Sequence, residues 1–245
     1  MIGIVLAAGG GTRLRPLTDA RPKTMLEVDG SRSILELAIA NLAAVGVRRI
    51  VVVTGYAAEV IEAAAEDLER RHGVELELRH NPRFDELNNA YSLWLVRDLF
   101  TEDCLLVNGD TVHPAAVEAR LLEADPADAD VSLAVDAVKA LAEEEMKLLA
   151  DDDGGVTHIS KLLDPDEAAG EYIGVARIHP GAGERLAEAL RATYERDPTR
   201  YYEDGFQEHI DRGGLVRALA IGRQPWIEVD DHRDLERARS LPHPL

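Results

Sequence analysis

One cysteine, Cys104, occurs in the 245-residue chain, which excludes an intramolecular disulfide. It sits in an apolar run and reads as a small core residue in a protein of a reducing compartment, the cytoplasm. Apolar runs are strand-sized, well short of the roughly 20 residues of a membrane span. A basic start, apolar centre and cleavage site, the marks of an exported precursor, are also missing. Cations are scarce: 27 Lys and Arg against 46 Asp and Glu give a net charge of −19. Such a surface is solvated and argues against a nucleic-acid partner, which needs a basic face. Few of the cations are lysines, yet Lys23, Lys147 and Lys161 stand in motif-like places. A compact point charge at those positions is one explanation, and composition bias is the other.

What is present is concentrated at the start. Residues 2–6 form an apolar run of strand length that leads into Ala7, Ala8, Gly9, Gly10, Gly11 and Thr12, followed by Arg13, Arg15 and Lys23. Glycines let a backbone approach an anion and expose its N–H groups, so the arrangement reads as a phosphate cradle. It is not a Walker loop, which needs Gly-Lys-Ser/Thr after the fourth intervening residue. Nor is it a dinucleotide fingerprint, because the third glycine position is Leu14. An ordinary glycine-rich turn between strand and helix stays open on the glycines alone.

The longer stretch Leu6-Ala7-Ala8-Gly9-Gly10-Gly11-Thr12-Arg13-Leu14-Arg15-Pro16, with Arg21-Pro22-Lys23, resembles the signature of the sugar-phosphate nucleotidylyltransferases. The resemblance implies that the loop meets a base and its phosphates, with Arg13 and Lys23 as the catalytic cations. It further implies a Rossmann-like, GT-A-like α/β fold in one domain over 1–245. Residues 1–125 would be mainly the nucleotide-binding half and residues 126–240 mainly the acceptor-binding half.

Periodicity agrees with α/β order. Helical spacing is read over 33–45, with Ser33 as N-cap, and over 57–72, 88–99 and 114–124. Strands at 49–54, 74–79 and 103–107 alternate with these helices, which predicts a mostly parallel central sheet with helices on both faces. Beyond residue 130 short strands dominate, at 131–135, 146–150, 156–159 and 171–178, with a hairpin turn at 151–155. They predict a small β-rich subregion for the acceptor. Helices over 181–194 and 203–212, strands over 215–221 and 226–229, and a helix over 231–239 follow.

Asp110 follows a buried strand, at the carboxyl end where open α/β sheets bind ligands. Glu228 and Asp230 alternate with Ile227 and Val229 and so share a strand face. Like charges on one face call for solvent or a bridging cation. The segment 226–231 resembles the second metal-binding segment of the family, so Asp110, Glu228 and Asp230 are expected to hold Mg²⁺, a hard cation suited to carboxylates. A turn aspartate and a solvated strand face are the plainer readings.

Asn88-Asn89-Ala90-Tyr91-Ser92-Leu93 resembles the segment of the CTP-using branch, the phosphocholine, phosphonate and inositol-phosphate cytidylyltransferases. Asn88, Asn89 and Ser92, with Tyr56 as a pocket wall, are expected to join the loop in binding the nucleotide. Asparagine amides can read a pyrimidine edge, though one of the pair can equally cap a helix. Lys147, Lys161, Glu171 and Tyr172 look like the acceptor half. Aromatics amount to 4% of the chain, too few for an evident cage around choline. The expected reaction is therefore Mg²⁺-dependent transfer of CMP from CTP to a phosphonate, polyol phosphate or alcohol phosphate, with pyrophosphate released. Its alternatives are a hexose-1-phosphate nucleotidylyltransferase using UTP, dTTP or GTP, and a non-catalytic nucleotide-sensing module. Partners are a nucleoside triphosphate and a small acceptor, without nucleic acid or membrane, and a homo-oligomer is left open.

Overall fold

The structure, a computed structural model, describes residues 1–124 and 129–242. The expected boundary between the two halves, at 125/126, lies outside the described residues. In chain order the strands are β1 (Ile2–Ala7), β2 (Glu27–Asp29), β3 (Arg32–Ser33), β4 (Arg49–Thr54), β5 (Glu75–His80), β6 (Cys104–Asn108), β7 (Thr111–Val112), β8 (Val131–Asp136), β9 (Lys147–Ala150), β10 (Val156–Ser160), β11 (Gly170–Ile178), β12 (Val216–Ala220) and β13 (Ile227–Glu228). The helices are α1 (Ile34–Ala44), α2 (Ala58–His72), α3 (Asn89–Leu95), α4 (Ala116–Glu123), α5 (Gly183–Arg196), α6 (Tyr202–Asp211) and α7 (His232–Ser240).

Period-two alternation makes the central strands two-faced. On one face Ile2, Ile4, Val51, Val53, Cys104 and Leu106 pack with Leu93, Leu186, Leu190, Tyr202 and Phe206 of α3, α5 and α6. On the other Val5, Ala7, Ile50, Val52, Leu105 and Val107 pack with residues of α1, α2 and α4, among them Ile39, Leu42, Ile61, Leu68 and Val117. Each fully buried aliphatic side chain contributes about 1.5–3 kcal/mol. Burial pushes the Cys104 thiol up to about 12, in keeping with a core residue rather than a nucleophile.

β6, β1, β4 and β5 are parallel neighbours, with Ile4 opposite Leu106 on one side and Val51 on the other. Antiparallel β11 extends this block beyond β6, followed by β8 and then β12, which is parallel to β8. The β9–β10 hairpin pairs with the start of β11. The parallel strands all end on one side, so the segments after Ala7, His80 and Asn108 meet there. Ser33 caps α1 by accepting the Glu36 N–H at 3.2 Å, as read from sequence. The single helix expected over 88–99 is instead α3 followed by a short 3₁₀ turn over Arg97–Thr101. Among the described residues no helix is long and apolar enough to cross a membrane.

Candidate active site

A cavity of about 570 Å³ opens at the carboxyl ends of the parallel strands. The turn after β1 supplies Ala8, Gly9, Gly11, Thr12 and Arg13 to its wall, and Leu6 lies beneath. Among the described residues the N–H groups of Gly9, Gly10 and Gly11 have no partner in the chain. Gly11 adopts φ +57°, and a Cβ there would lie 2.7 Å from Lys23 Cβ, so this position needs glycine on both counts. Three of the expected nucleotide residues, Ala7, Gly10 and Tyr56, lie off the wall. Ala7 is in the core, and Gly10 packs on the Tyr56 ring. Tyr56 itself does not line the cavity. Its hydroxyl lies within 3.0 Å of the Thr18 and Asp19 carbonyls, so it braces the loop from behind.

The acidic residues come together through a ribbon. β13 pairs antiparallel with β7, Glu228 opposite Thr111, and the Val229 N–H donates to the Asp110 carbonyl at 2.8 Å. Carboxylate oxygens of Asp110, Glu228 and Asp230 consequently fall within 4.8 Å of one another. Lys23 Nζ donates to Asp110 Oδ2 at 2.9 Å and to Asp230 Oδ1 at 3.1 Å, while Arg13 Nη2 meets Asp230 Oδ2 at 2.8 Å. Asp110 Oδ1 is buried without a hydrogen-bond partner. Gly109 makes the approach possible, since a Cβ there would meet the Leu6 carbonyl oxygen at 2.3 Å and Thr24 Cγ2 at 2.6 Å.

The titrations reflect this crowding. Burial alone would lower the Lys23 ammonium, but Asp110 and Asp230 outweigh it and hold the group above its ordinary value. Asp230 is kept below the usual carboxylate range: burial opposes this, and Lys23 and Arg13 prevail. Glu228 is reached by solvent yet walled by protein, and that partial desolvation together with the Asp110 and Asp230 charges pushes it up. Three hard oxygen donors of this kind, one with an orphaned lone pair, suit a divalent cation that retains waters.

Asn88, Asn89 and Ser92 all line the cavity, but their polar atoms are largely engaged. Asn88 Oδ1 caps α3 through the Asn89 N–H at 2.8 Å, and its Nδ2 donates to the Thr199 carbonyl at 2.8 Å. Asn89 Oδ1 accepts the Tyr202 N–H at 2.9 Å. Ser92 Oγ accepts from Asn81 Nδ2 at 3.0 Å. The pair therefore fastens the start of α3 to the start of α6, and among the described residues the Asn89 Nδ2 and the Ser92 hydroxyl hydrogen remain for a ligand.

Of the four expected acceptor residues, Lys161 and Tyr172 line the cavity and two do not. The expectation for Lys147 is overturned: its side chain is fully buried, and Nζ donates to the carbonyls of Glu143 at 2.6 Å, Lys161 at 2.8 Å, and Ala142 and Glu145 at 3.2 Å. Glu171 is corrected as well, because its buried carboxylate pairs with Lys139 away from the cavity, and burial pushes it up to about 7. Sequence reading missed Phe84, Asn108, Thr111, Met146, Tyr201 and Glu203, which also line it. Asn108 and Thr111 flank Asp110 and were within reach of the motif; the others carry no local signal.

The sequence profile of the nucleotidyl transferase family matches residues 2–160, the stretch that carries the glycine loop, Lys23, α3 and Asp110. The chain belongs to the nucleotidyl transferase family. Within it, the CMP-5'-(3-aminopropyl)phosphonate synthase of Streptomyces rubellomurinus is 32% identical over 96% of this chain and 38% of its own length. The UTP–glucose-1-phosphate uridylyltransferase AglF of Haloferax volcanii is 41% identical over 47% of this chain and 45% of its own length. The chain thus spans less than half the length of these curated relatives. The inositol-1-phosphate CTP transferase of T. maritima superposes with a TM-score of 0.81 over 100% of this chain and 98% of its own, at 23% identity, which shows the shared fold.

Proposed function

We propose that the chain is a Mg²⁺-dependent cytidylyltransferase of the cytoplasm, moving CMP from CTP to a phosphonate, polyol phosphate or alcohol phosphate and releasing pyrophosphate. The observation that carries this reading is the union, in one cavity, of the open glycine loop with Lys23, Arg13 and the Asp110–Glu228–Asp230 cluster. Similarity to the S. rubellomurinus synthase over nearly the whole chain favours CTP and a phosphonate.

In the reaction an anionic phosphoryl oxygen of the acceptor attacks the α-phosphorus in line. A P–O bond forms, the α–β phosphoanhydride bond breaks, and pyrophosphate leaves with the electron pair. The nucleophile is already an anion, so no protein base or covalent intermediate is required, and positioning and charge balance do the catalysis. Gly9 and Gly11 offer their free N–H groups to the triphosphate. Lys23, with two of its three donors on Asp110 and Asp230, directs the third toward phosphate oxygens. Arg13, exposed at the rim, balances the departing pyrophosphate. Asp110, Glu228 and Asp230 would hold Mg²⁺, which when bound polarises the α-phosphate and offsets developing charge. Residues 1–125 serve chiefly the nucleotide, and Lys161 and Tyr172 of 126–240 serve the acceptor.

The second reading, a hexose-1-phosphate transferase using UTP, dTTP or GTP, draws on the similarity to the H. volcanii uridylyltransferase over 47% of the chain. Pyrophosphate release with Mg²⁺ decides between them, pairing CTP, UTP, dTTP and GTP with 2-aminoethylphosphonate, 2-hydroxyethylphosphonate, inositol-1-phosphate, phosphocholine and glucose-1-phosphate. Turnover with CTP and a non-sugar acceptor is the expected result. Turnover confined to glucose-1-phosphate with another nucleotide would sink the cytidylyl reading.

A further inference from the structure

Among the described residues Asp110, Glu118 and Glu203 have buried carboxylate oxygens without a hydrogen-bond partner. Only Asp110 and Glu203 line the cavity, and only Glu203 lies outside the acidic cluster. Glu203 is 5% exposed and stands in the first turn of α6. Its position is not explained by capping, which falls to its neighbour: Asp204 Oδ2 accepts the Tyr201 N–H at 2.9 Å. The Tyr202 hydroxyl acts on the Glu203 carboxyl but leaves Oε2 unsatisfied, and its short hydrogen bonds go elsewhere. Tyr202 donates to Asn108 Oδ1 at 2.8 Å and shares a 3.0 Å hydrogen bond with Tyr172. Burial pushes the Glu203 carboxyl up to about 7, and Lys161 attracts it without forming an ion pair. A buried acceptor oxygen without a partner, on a residue that lines a cavity, marks a place where a ligand supplies the donor.

We propose that Glu203 binds a primary ammonium group at the far end of the acceptor, so that the substrate class is a short aminoalkyl phosphonate or aminoalkyl phosphate. This deepens the transfer reading above and rests on it. The chemistry of the group chooses the class. A quaternary ammonium offers charge but no N–H, and would leave the Glu203 oxygen orphaned. A polyol hydroxyl offers a donor but leaves the carboxylate charge unbalanced. A primary ammonium supplies both in a charge-assisted hydrogen bond. The surroundings match such a molecule: Met146, Tyr172 and Ile173 give an apolar wall for a short alkyl stem. Lys161 acts electrostatically on both Glu203 and Glu228, and so can steady the phosphoryl end while Glu203 takes the amine.

The test compares kcat/KM for 2-aminoethylphosphonate and 2-hydroxyethylphosphonate, each with CTP, in the wild type and in Glu203→Gln. The wild type is expected to favour the amine by about 10²-fold or more. Glu203→Gln is expected to abolish that preference through a rise in the amine's KM that exceeds any change for the hydroxyl compound. Phosphocholine is expected to stay a poor acceptor in both proteins. A wild type indifferent to the amine, or a variant slowed equally on both acceptors, overturns the proposal. Amine preference with UTP, dTTP or GTP in place of CTP would uphold Glu203 while refuting the cytidylyl reading. Should no pair turn over, calorimetric binding of the two phosphonates to both proteins reads the same selectivity, and its absence overturns the proposal.

Discussion

Replacing Lys147 by methionine separates a structural from a substrate-binding role for this lysine. The ammonium holds four backbone carbonyls, two at 2.6 and 2.8 Å and two at 3.2 Å. Hydrogen bonds to a charged donor contribute roughly 1.5–3 kcal/mol each, but four on one nitrogen do not add. Methionine fills the volume and leaves the carbonyls facing a thioether. The cost is that of stripping one side from a buried charged network, about 3–5 kcal/mol. For a domain of this size each kcal/mol moves Tm by roughly 2–4 °C, so the expected drop is about 6–20 °C. Differential scanning calorimetry measures it. Because the Lys161 carbonyl is one of the four, the acceptor KM should rise as the loop loosens, while the nucleotide KM stays put. A variant melting with the wild type, yet with a raised acceptor KM, would refute the reasoning and return Lys147 to the substrate.

Three other outcomes are expected. Asp110→Asn and Asp230→Asn should each lower turnover by about 10²-fold or more, with the Mg²⁺ dependence of pyrophosphate release flattened; unchanged Mg²⁺ titrations would remove these residues from the metal. Gly109→Ala should destabilise the protein by about 1–3 kcal/mol in urea unfolding, since its methyl would press on the Leu6 carbonyl; a neutral effect would mean the β6–β7 turn yields. Glu203, raised from 4.5 to about 7, keeps a proton in the folded chain that the unfolded chain has released between those pH values. Stability from this group therefore falls as pH rises through that window, and Glu203→Gln should raise Tm at pH 8 relative to wild type but not at pH 4. Equal melting shifts at both pH values would show the carboxylate to be solvated.

The local patterns were legible. Apolar runs of strand length announced β1, β4 and β6 as buried strands, and Ser33 announced the start of α1 through its own hydroxyl. The position of Asp110 was legible, because a residue just beyond a buried parallel strand falls at the sheet's carboxyl end. Pairings between distant segments were not. Nothing in residues 226–230 says that they lie against residues 111–112, and the cluster depends on that pairing. Lys147 misled because a lysine in a strand reads as exposed unless the carbonyls that cage it are known. Glu203 was hidden by its company: an acidic residue in the first turn of a helix has an ordinary explanation in the helix dipole, and Asp204 beside it fulfils the capping role. Asn88 showed the reverse, since the capping reading weighed against base recognition is what its Oδ1 does.

The β7–β13 ribbon also has a consequence for the order of synthesis. Lys23 meets Asp110 from 87 residues away and Asp230 from 207. A chain emerging from the ribosome presents Lys23 well before Asp110 and Asp230, so a nascent protein can hold the loop and Lys23 long before the carboxylate cluster is assembled. Closing the longer span costs only about 0.8 kcal/mol more than the shorter in chain entropy, so the delay is set by translation rather than by folding cost. On the proposed reading, a nascent chain short of Asp230 has the triphosphate loop without the full carboxylate cluster, and turnover waits for the β7–β13 pairing.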